Sequence, residues 1–152
     1  MSAVTFNKAT NADIDLLVDF MRQFYAIDHY PFDEQVARKA LTGLIEDPAL
    51  GRLWLIYAGE QTAGYVAVTF GYSLEFHGRN AIIDELFFLA EHRGKGLGTK
   101  TLDFVAQECR HLGVHALHLE VERGNSAGQT LYRKMGFTAH EQRFLMTRWL
   151  DR

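Results

Sequence analysis

Residues 82–112, IIDELFFLAEHRGKGLGTKTLDFVAQECRHL, decide how the chain is read. The apolar run at the start carries two adjacent carboxylates, Asp84 and Glu85, and its length and composition predict a buried strand from Ala81 to Leu89. A short polar turn leads into Arg93-Gly94-Lys95-Gly96-Leu97-Gly98. Leu102, Val105, Cys109 and Leu112 then recur at three- and four-residue spacing, which predicts a helix, and Gly113 is a good stop for it. The amides of Gly94 through Thr99 fall in the first turn of that helix, where no intrahelical acceptor exists. Glycines that clear such a terminus let the backbone close on a phosphate, with the helix dipole in favour.

Upstream, Val4 to Ala9 reads as a short strand. Thr10 and Asp13 form a capping-box pair ahead of a helix carrying Ile14, Leu17, Met21 and Phe24 on one face. Tyr30-Pro31 breaks that helix. Asp33 caps a second, with Ala37, Ala40, Leu41 and Leu44 as its stripe and Asp47-Pro48 as its end. Arg52 to Ala58 and Gln61 to Tyr72 read as strands joined at Gly59-Glu60, with Gly64 and Gly71 marking bulges or close approaches in the second. A polar loop, Ser73 to Asn80, leads to the central strand.

Downstream, Val114 to Glu122 alternates, with Leu117, Leu119 and Val121 on one side. A helix follows over Ala127 to Met135, stopped by Gly136, and Phe137 to Leu150 is strand-like, as one strand or as two around Glu141-Gln142. The order β-α-α-β-β-β-α-β-α-β predicts an α/β fold of the mixed-sheet, α+β kind with helices on both faces. Its middle three strands form an antiparallel meander. A β-α-β crossover makes the strand before the glycine turn parallel to the one after its helix. No linker or repeat interrupts residues 1–152, which are expected to form a single domain.

Composition removes several classes of function. Sixteen basic and 19 acidic residues give a net charge of −3, which argues against nucleic acid as a partner, since that needs a basic face. No apolar run approaches the ~20 residues of a membrane span, so no membrane partner is expected. The N-terminus lacks a signal-peptide layout, and the single cysteine, Cys109, fits a reducing compartment; the expected location is cytoplasmic. His111, His115 and His118 are split by Gly113, so no metal site is expected.

Two phosphate-binding patterns fail on spacing. A dinucleotide fingerprint needs G-x-G-x-x-G, whereas the chain has Gly94, Gly96 and Gly98; a Walker A loop needs a hydroxyl after its lysine, and Lys95 sits between glycines. The third pattern, [RQ]-x-x-G-x-[GA], matches residues 93–98 in full. With it the chain resembles the GNAT (Gcn5-related N-acetyltransferase) family. Residues 125–137, NSAGQTLYRKMGF, are similar to the family's N-x-x-A-x-x-L-Y-x-K-x-G-F segment, departing at Gly128 where alanine is usual. The match is close over the second half of the chain.

That resemblance implies a sheet splayed at an acetyl-CoA site. The cofactor-binding residues would be Leu86, Phe87 and Phe88 on the central strand, Arg93, Gly94, Lys95, Gly96, Leu97, Gly98 and Thr99 in the turn, and Asn125 and Tyr132 beyond. It also implies acetyl transfer to a primary amine by direct attack in a ternary complex, with Tyr132 reprotonating the departing thiolate. An alkylammonium must first lose a proton, and a carboxylate can accept it. Asp84 matches the acidic position used by polyamine-type relatives and is preferred; Glu85 is the reserve, since a bulge would change which way each faces. The acceptor is expected to be a small cationic amine, met by Tyr25, Asp28 and Tyr30 at the end of the first helix and by Glu75 in the loop before the central strand. A protein lysine or N-terminus as acceptor, and a CoA sensor without turnover, are the alternatives. Strand exchange at the C-terminus would give a homodimer.

Overall fold

Leu53 to Ile56 and Ala63 to Val68 are buried without a break, so both faces of these strands are covered and they lie at the middle of a sheet. The computed structural model describes residues 3–151. The elements are β1 (Val4–Lys8), α1 (Ile14–Ile27), α2 (Glu34–Glu46), β2 (Gly51–Ala58), β3 (Gln61–Ser73), β4 (Gly78–Phe88), α3 (Leu97–His111), β5 (Ala116–Leu119) and α4 (Ser126–Lys134). The described residues fall into two compact units that divide after Glu120.

In the first unit the sheet order is β1-β2-β3-β4-β5. Neighbours run antiparallel up to β4, and β4 runs parallel to β5, as the crossover requires. Thr10 accepts from the Ala12 amide at 3.3 Å while Asp13 takes the Thr10 amide at 2.8 Å, which closes the capping box ahead of α1. Asp33 caps α2 by accepting from the Val36 amide at 3.1 Å. The two helices cover one face of the sheet, where Leu17, Val18, Phe20, Met21, Ala37 and Leu41 pack on Leu53, Leu55, Tyr65, Ala67 and Phe87. Ala40, expected in this stripe, is exposed; Leu44 turns partly inward as expected, and Ile45 joins it. On the other face α3 lays Phe104 flat against Phe6 at 4.1 Å and edge-on to Trp54 at 5.1 Å.

Two strands differ from expectation by more than one residue at an end. β4 starts at Gly78, before the expected Ala81, because His77 and Gly78 take φ of 70° and 120° and close a short turn at Leu74 to His77. β5 is only four residues long, although the alternation runs from Val114 to Glu122, since pairing with β4 ends at Leu119.

In the second unit α4 is the one regular element among the described residues. The strand expected over Phe137 to Leu150 is absent there. A strand exists only where a partner accepts its ladder of hydrogen bonds, and apolar composition does not supply one. Phe144, Leu145, Met146, Trp149 and Leu150 are accordingly exposed.

Candidate active site

The pairing of β3 with β4 slips by one residue at the carboxylates. Val68 stands opposite Ile83 and Ala67 opposite Glu85, which leaves Asp84 as the extra residue of a β-bulge. Residues directly opposite share a face of the sheet. Ile83 therefore keeps company with Val68, while Glu85 joins Ala67, Tyr65 and Phe87 on the face covered by α1 and α2. Without the bulge, residues 83 and 85 would face the same way. The slip brings Glu85 under α1 and leaves Asp84 on the bulge, open to solvent on one side and partly covered on the other.

Under α1, Glu85 accepts two hydrogen bonds from two phenols. The Tyr65 hydroxyl donates to Oε1 at 2.8 Å, and the Tyr25 hydroxyl donates to Oε2. Burial pushes the Glu85 carboxyl up, the two donors pull it back, and Asp84 next door raises it again. Burial also raises Asp84, with no compensating donor. Both phenols are driven well above the ordinary tyrosine range, by burial first and by the Glu85 carboxylate second, so each stays protonated and donates to the carboxylate. Tyr65 was not singled out in the sequence. Its signal lay in the register, which needs both the bulge and the partner strand.

Past Ile83, opposite Leu119, the far edge of β4 has no ladder partner among the described residues. The Leu89 amide donates to the Ala63 carbonyl on the β3 side at 2.8 Å. Alternation then turns the amides and carbonyls of Leu86 and Phe88 toward the unpaired edge. One of these groups is already engaged: Arg93 Nε donates to the Phe88 carbonyl at 2.9 Å, and the guanidinium stands 5.7 Å from the centre of the Phe87 ring. Arg93 is thus folded back on the strand end as well as lying beside the glycine turn.

The turn itself opens α3 with Gly96 at φ 81° as the N-cap and no side chain capping the first-turn amides. Gly94 has φ 75°. A Cβ built at either glycine meets nothing within 4 Å, so the space above the amides is clear. No acidic residue lies in the first turn of α3, and Lys95 is exposed beside it. Uncapped amides, positive charge and open space fit an anionic pyrophosphate such as that of acetyl-CoA. Gly98 and Thr99 are half-buried within the helix, and Leu97 is buried as its anchor.

In the second unit, Asn125 is occupied as the N-cap of α4, accepting from the Gly128 amide at 2.9 Å. That geometry accounts for glycine at 128: a Cβ there would lie 2.5 Å from Asn125 Nδ2. Tyr132 is half-buried, its ring edge-on to Phe137 at 6.1 Å, and burial raises its hydroxyl so that it is protonated near neutral pH.

The residues expected to meet the acceptor do not all converge. Tyr25 reaches Glu85. Asp28 and Tyr30 are exposed just past the end of α1, where the Tyr30 amide bonds the Tyr25 carbonyl at 2.9 Å. Glu75 sits at the tip of the β3–β4 hairpin, separated from Glu85 by seven strand residues beyond Gly78, or about 23 Å at the usual rise. The structure does not bring it to the Tyr25–Glu85 cluster. Cys109 is buried in α3, and burial raises its thiol away from the reactive thiolate.

The model of a family described as "Acetyltransferase (GNAT) family" matches residues 15–137. The L-methionine sulfoximine/L-methionine sulfone acetyltransferase of Pseudomonas aeruginosa is 30% identical over 99 residues, covering 62% of this chain and 56% of that protein. The chain thus spans little more than half the length of this curated relative. The thialysine N-epsilon-acetyltransferase of Mus musculus is 24% identical over 146 residues, covering 90% of this chain and 85% of that one. Among solved structures, an integron cassette protein from the mobile metagenome of Cole Harbour Salt Marsh superposes with a TM-score of 0.83 at 34% identity, over 95% of this chain and 90% of that one. A predicted acetyltransferase from Clostridium acetobutylicum, crystallised with acetyl-CoA, shares the fold with a TM-score of 0.79 at 19% identity, over 95% and 96%.

Proposed function

The chain belongs to the acetyltransferase (GNAT) family, and on that premise we propose that it is an N-acetyltransferase that moves an acetyl group from acetyl-CoA to the primary amine of a small molecule. The observation that carries this reading is the continuity of three features in the first unit. The unpaired edge of β4 leads from the Asp84 bulge, past Leu86 and Phe88, to the uncapped amides of the glycine turn.

Acetyl-CoA supplies a thioester, whose C–S bond breaks as the amide C–N bond forms. The backbone at Gly94 to Thr99 and Lys95 holds its pyrophosphate, and the Leu86 and Phe88 main chain holds its arm. Asp84 takes the proton that the acceptor's ammonium must lose. Its carboxylate is raised by burial, so its affinity for a proton is greater than an ordinary aspartate's. Tyr132 keeps its proton at working pH and gives it to the departing thiolate; the support for this role is local, from its motif and its burial. The acceptors named for the relatives, methionine sulfoximine, methionine sulfone and thialysine, make amino-acid-like amines the first class to screen.

Thermal unfolding with acetyl-CoA, CoA, ATP and NAD at equal concentration tests the cofactor, because a ligand that binds only the native state raises the melting temperature. Stabilisation by the two CoA species alone is expected. Thiol release from acetyl-CoA with a panel of amines then tests turnover. Equal response to ATP, or none to CoA, would sink the proposal.

A further inference from the structure

Glu85 is half-buried, and the ion pairs on Asp15, Asp19, Glu34 and Glu141 lie elsewhere. Among the described residues, its carboxylate oxygens accept from the two phenols. Tyr65 is fully buried, its ring held by Phe20, Phe24 and Phe87 with centroids at 6.4, 6.4 and 6.0 Å. That cage fixes where the Tyr65 hydroxyl points. Tyr25 sits at the outer side, half-buried, with Phe32 edge-on at 5.7 Å. The two hydroxyls take different oxygens of the carboxylate, so each oxygen keeps a lone pair for one further donor.

We infer that Tyr65 is a positioning residue which, with Tyr25, holds Glu85 as the fixed anionic receptor for the acceptor's ammonium, while Asp84 on the bulge takes the proton. The inference rests on the acetyltransferase reading above and assigns separate roles to the two adjacent carboxylates. Burial leaves Glu85 raised, but its two phenol hydrogen bonds oppose protonation, which would forfeit them. It remains a good acceptor for N–H groups, and charge-assisted hydrogen bonds to it are the stronger kind. The Tyr25 ring beside it suits an organic cation, whereas Phe32, edge-on to Tyr25, already carries the Arg22 guanidinium at 5.3 Å from its ring centre. Asp84 differs: it is open to solvent on one side and no donor among the described residues reaches its oxygens, so its lone pairs are free to receive a proton. Two carboxylates made different by their surroundings is a general route to separate acid–base roles. The substrate class that follows is a primary amine that arrives protonated, docks its ammonium on Glu85 and is deprotonated at Asp84.

The groups bearing on Glu85 are Tyr25 of α1, Tyr65 of β3 and Asp84 of its own strand; Arg93, over the Phe87 ring, forms no ion pair with it. The test compares the parent with Tyr65→Phe, Tyr25→Phe and Glu85→Gln. Amine KM, kcat and the pH profile are measured by thiol release, and calorimetric binding is measured with thialysine and methionine sulfone as probes. Either phenylalanine variant should raise the amine KM about 5- to 20-fold and change kcat less than threefold. The acid limb of kcat/KM should move to higher pH, since losing a donor lets Glu85 protonate sooner. Glu85→Gln should weaken calorimetric binding of the probe by at least tenfold.

If Glu85 served only to satisfy two buried phenols, Tyr65→Phe would lower stability and leave the amine KM and the acid limb in place; that result overturns the inference. Tyr25→Phe, at a half-exposed site, keeps the test open should the buried variant fail to fold. The acetyltransferase reading fails separately, by absent thiol release in the parent. The calorimetric comparison still decides the receptor role in that case, with probe binding insensitive to Glu85→Gln overturning it.

Discussion

Gly64 offers the sharpest test of how the strand pair is built. A methyl group at this position would stand 1.8 Å from the Phe87 carbonyl oxygen, 2.8 Å from its carbon and 3.0 Å from the Phe88 Cα. All three are backbone atoms of β4, so no side chain can swing aside. Carbon and oxygen need about 3.3 Å, so the strands would have to part by about 1.5 Å locally. The Leu89-to-Ala63 bond, 2.8 Å in length, would then exceed hydrogen-bond range together with its neighbour in the ladder. Two broken bonds with buried groups left unpaired give Gly64→Ala an expected cost of about 3–5 kcal/mol. For a chain of this length that is a fall in melting temperature of roughly 10–15 °C. Gly43→Ala is the control: it lies in α2 with nothing within 4 Å of a built Cβ, and should gain up to about 1 kcal/mol from helix propensity. Urea unfolding measures both. Because Phe88 borders the unpaired edge, Gly64→Ala should also lose most of the acetyl-CoA thermal shift. A loss below about 1 kcal/mol, or no difference from Gly43→Ala, would refute the reasoning about the close approach.

Three further outcomes are expected. Gly96→Ala places a side chain at φ 81°, costing about 1–2 kcal/mol, and should weaken acetyl-CoA binding at least tenfold in a titration that leaves amine binding unchanged. Asp84→Asn should lower kcat by about 10²- to 10⁴-fold with acetyl-CoA affinity intact, and in the parent the acid limb of activity should lie above the ordinary aspartate value of about 3.9, because burial raises this carboxyl and the base acts only once deprotonated. The sign for stability is the reverse: a raised carboxyl favours the folded state at low pH, and that contribution is lost as pH climbs through the raised value, so Asp84→Asn should be relatively more stable than the parent at pH 8 than at pH 4 in urea unfolding. Asp33→Ala removes the cap on the Val36 amide and should cost about 1 kcal/mol without altering kinetics.

Much of this protein is written in local patterns. The capping residues Thr10, Asp13 and Asp33, the helix stop at Gly113 and the turn at Gly59 act over three or four neighbours, so the sequence alone locates α1, α2, α3 and the β2–β3 hairpin. The glycine turn and the segment from Asn125 to Phe137 likewise carry the family in contiguous residues. The limits of strands were less legible, because a strand ends where its partner does. β5 stops at Leu119 although its alternation continues, and no strand forms between Phe137 and Leu150 among the described residues. The tertiary structure alone decided the roles open to the carboxylates. Strict alternation gives Asp84 and Glu85 opposite faces but does not say which goes where. The one-residue slip between Ala67 and Val68 sends Glu85 to Tyr25 and Tyr65, residues 60 and 20 positions away in the chain. Such a slip is a property of two strands in register, and no single strand's sequence contains it.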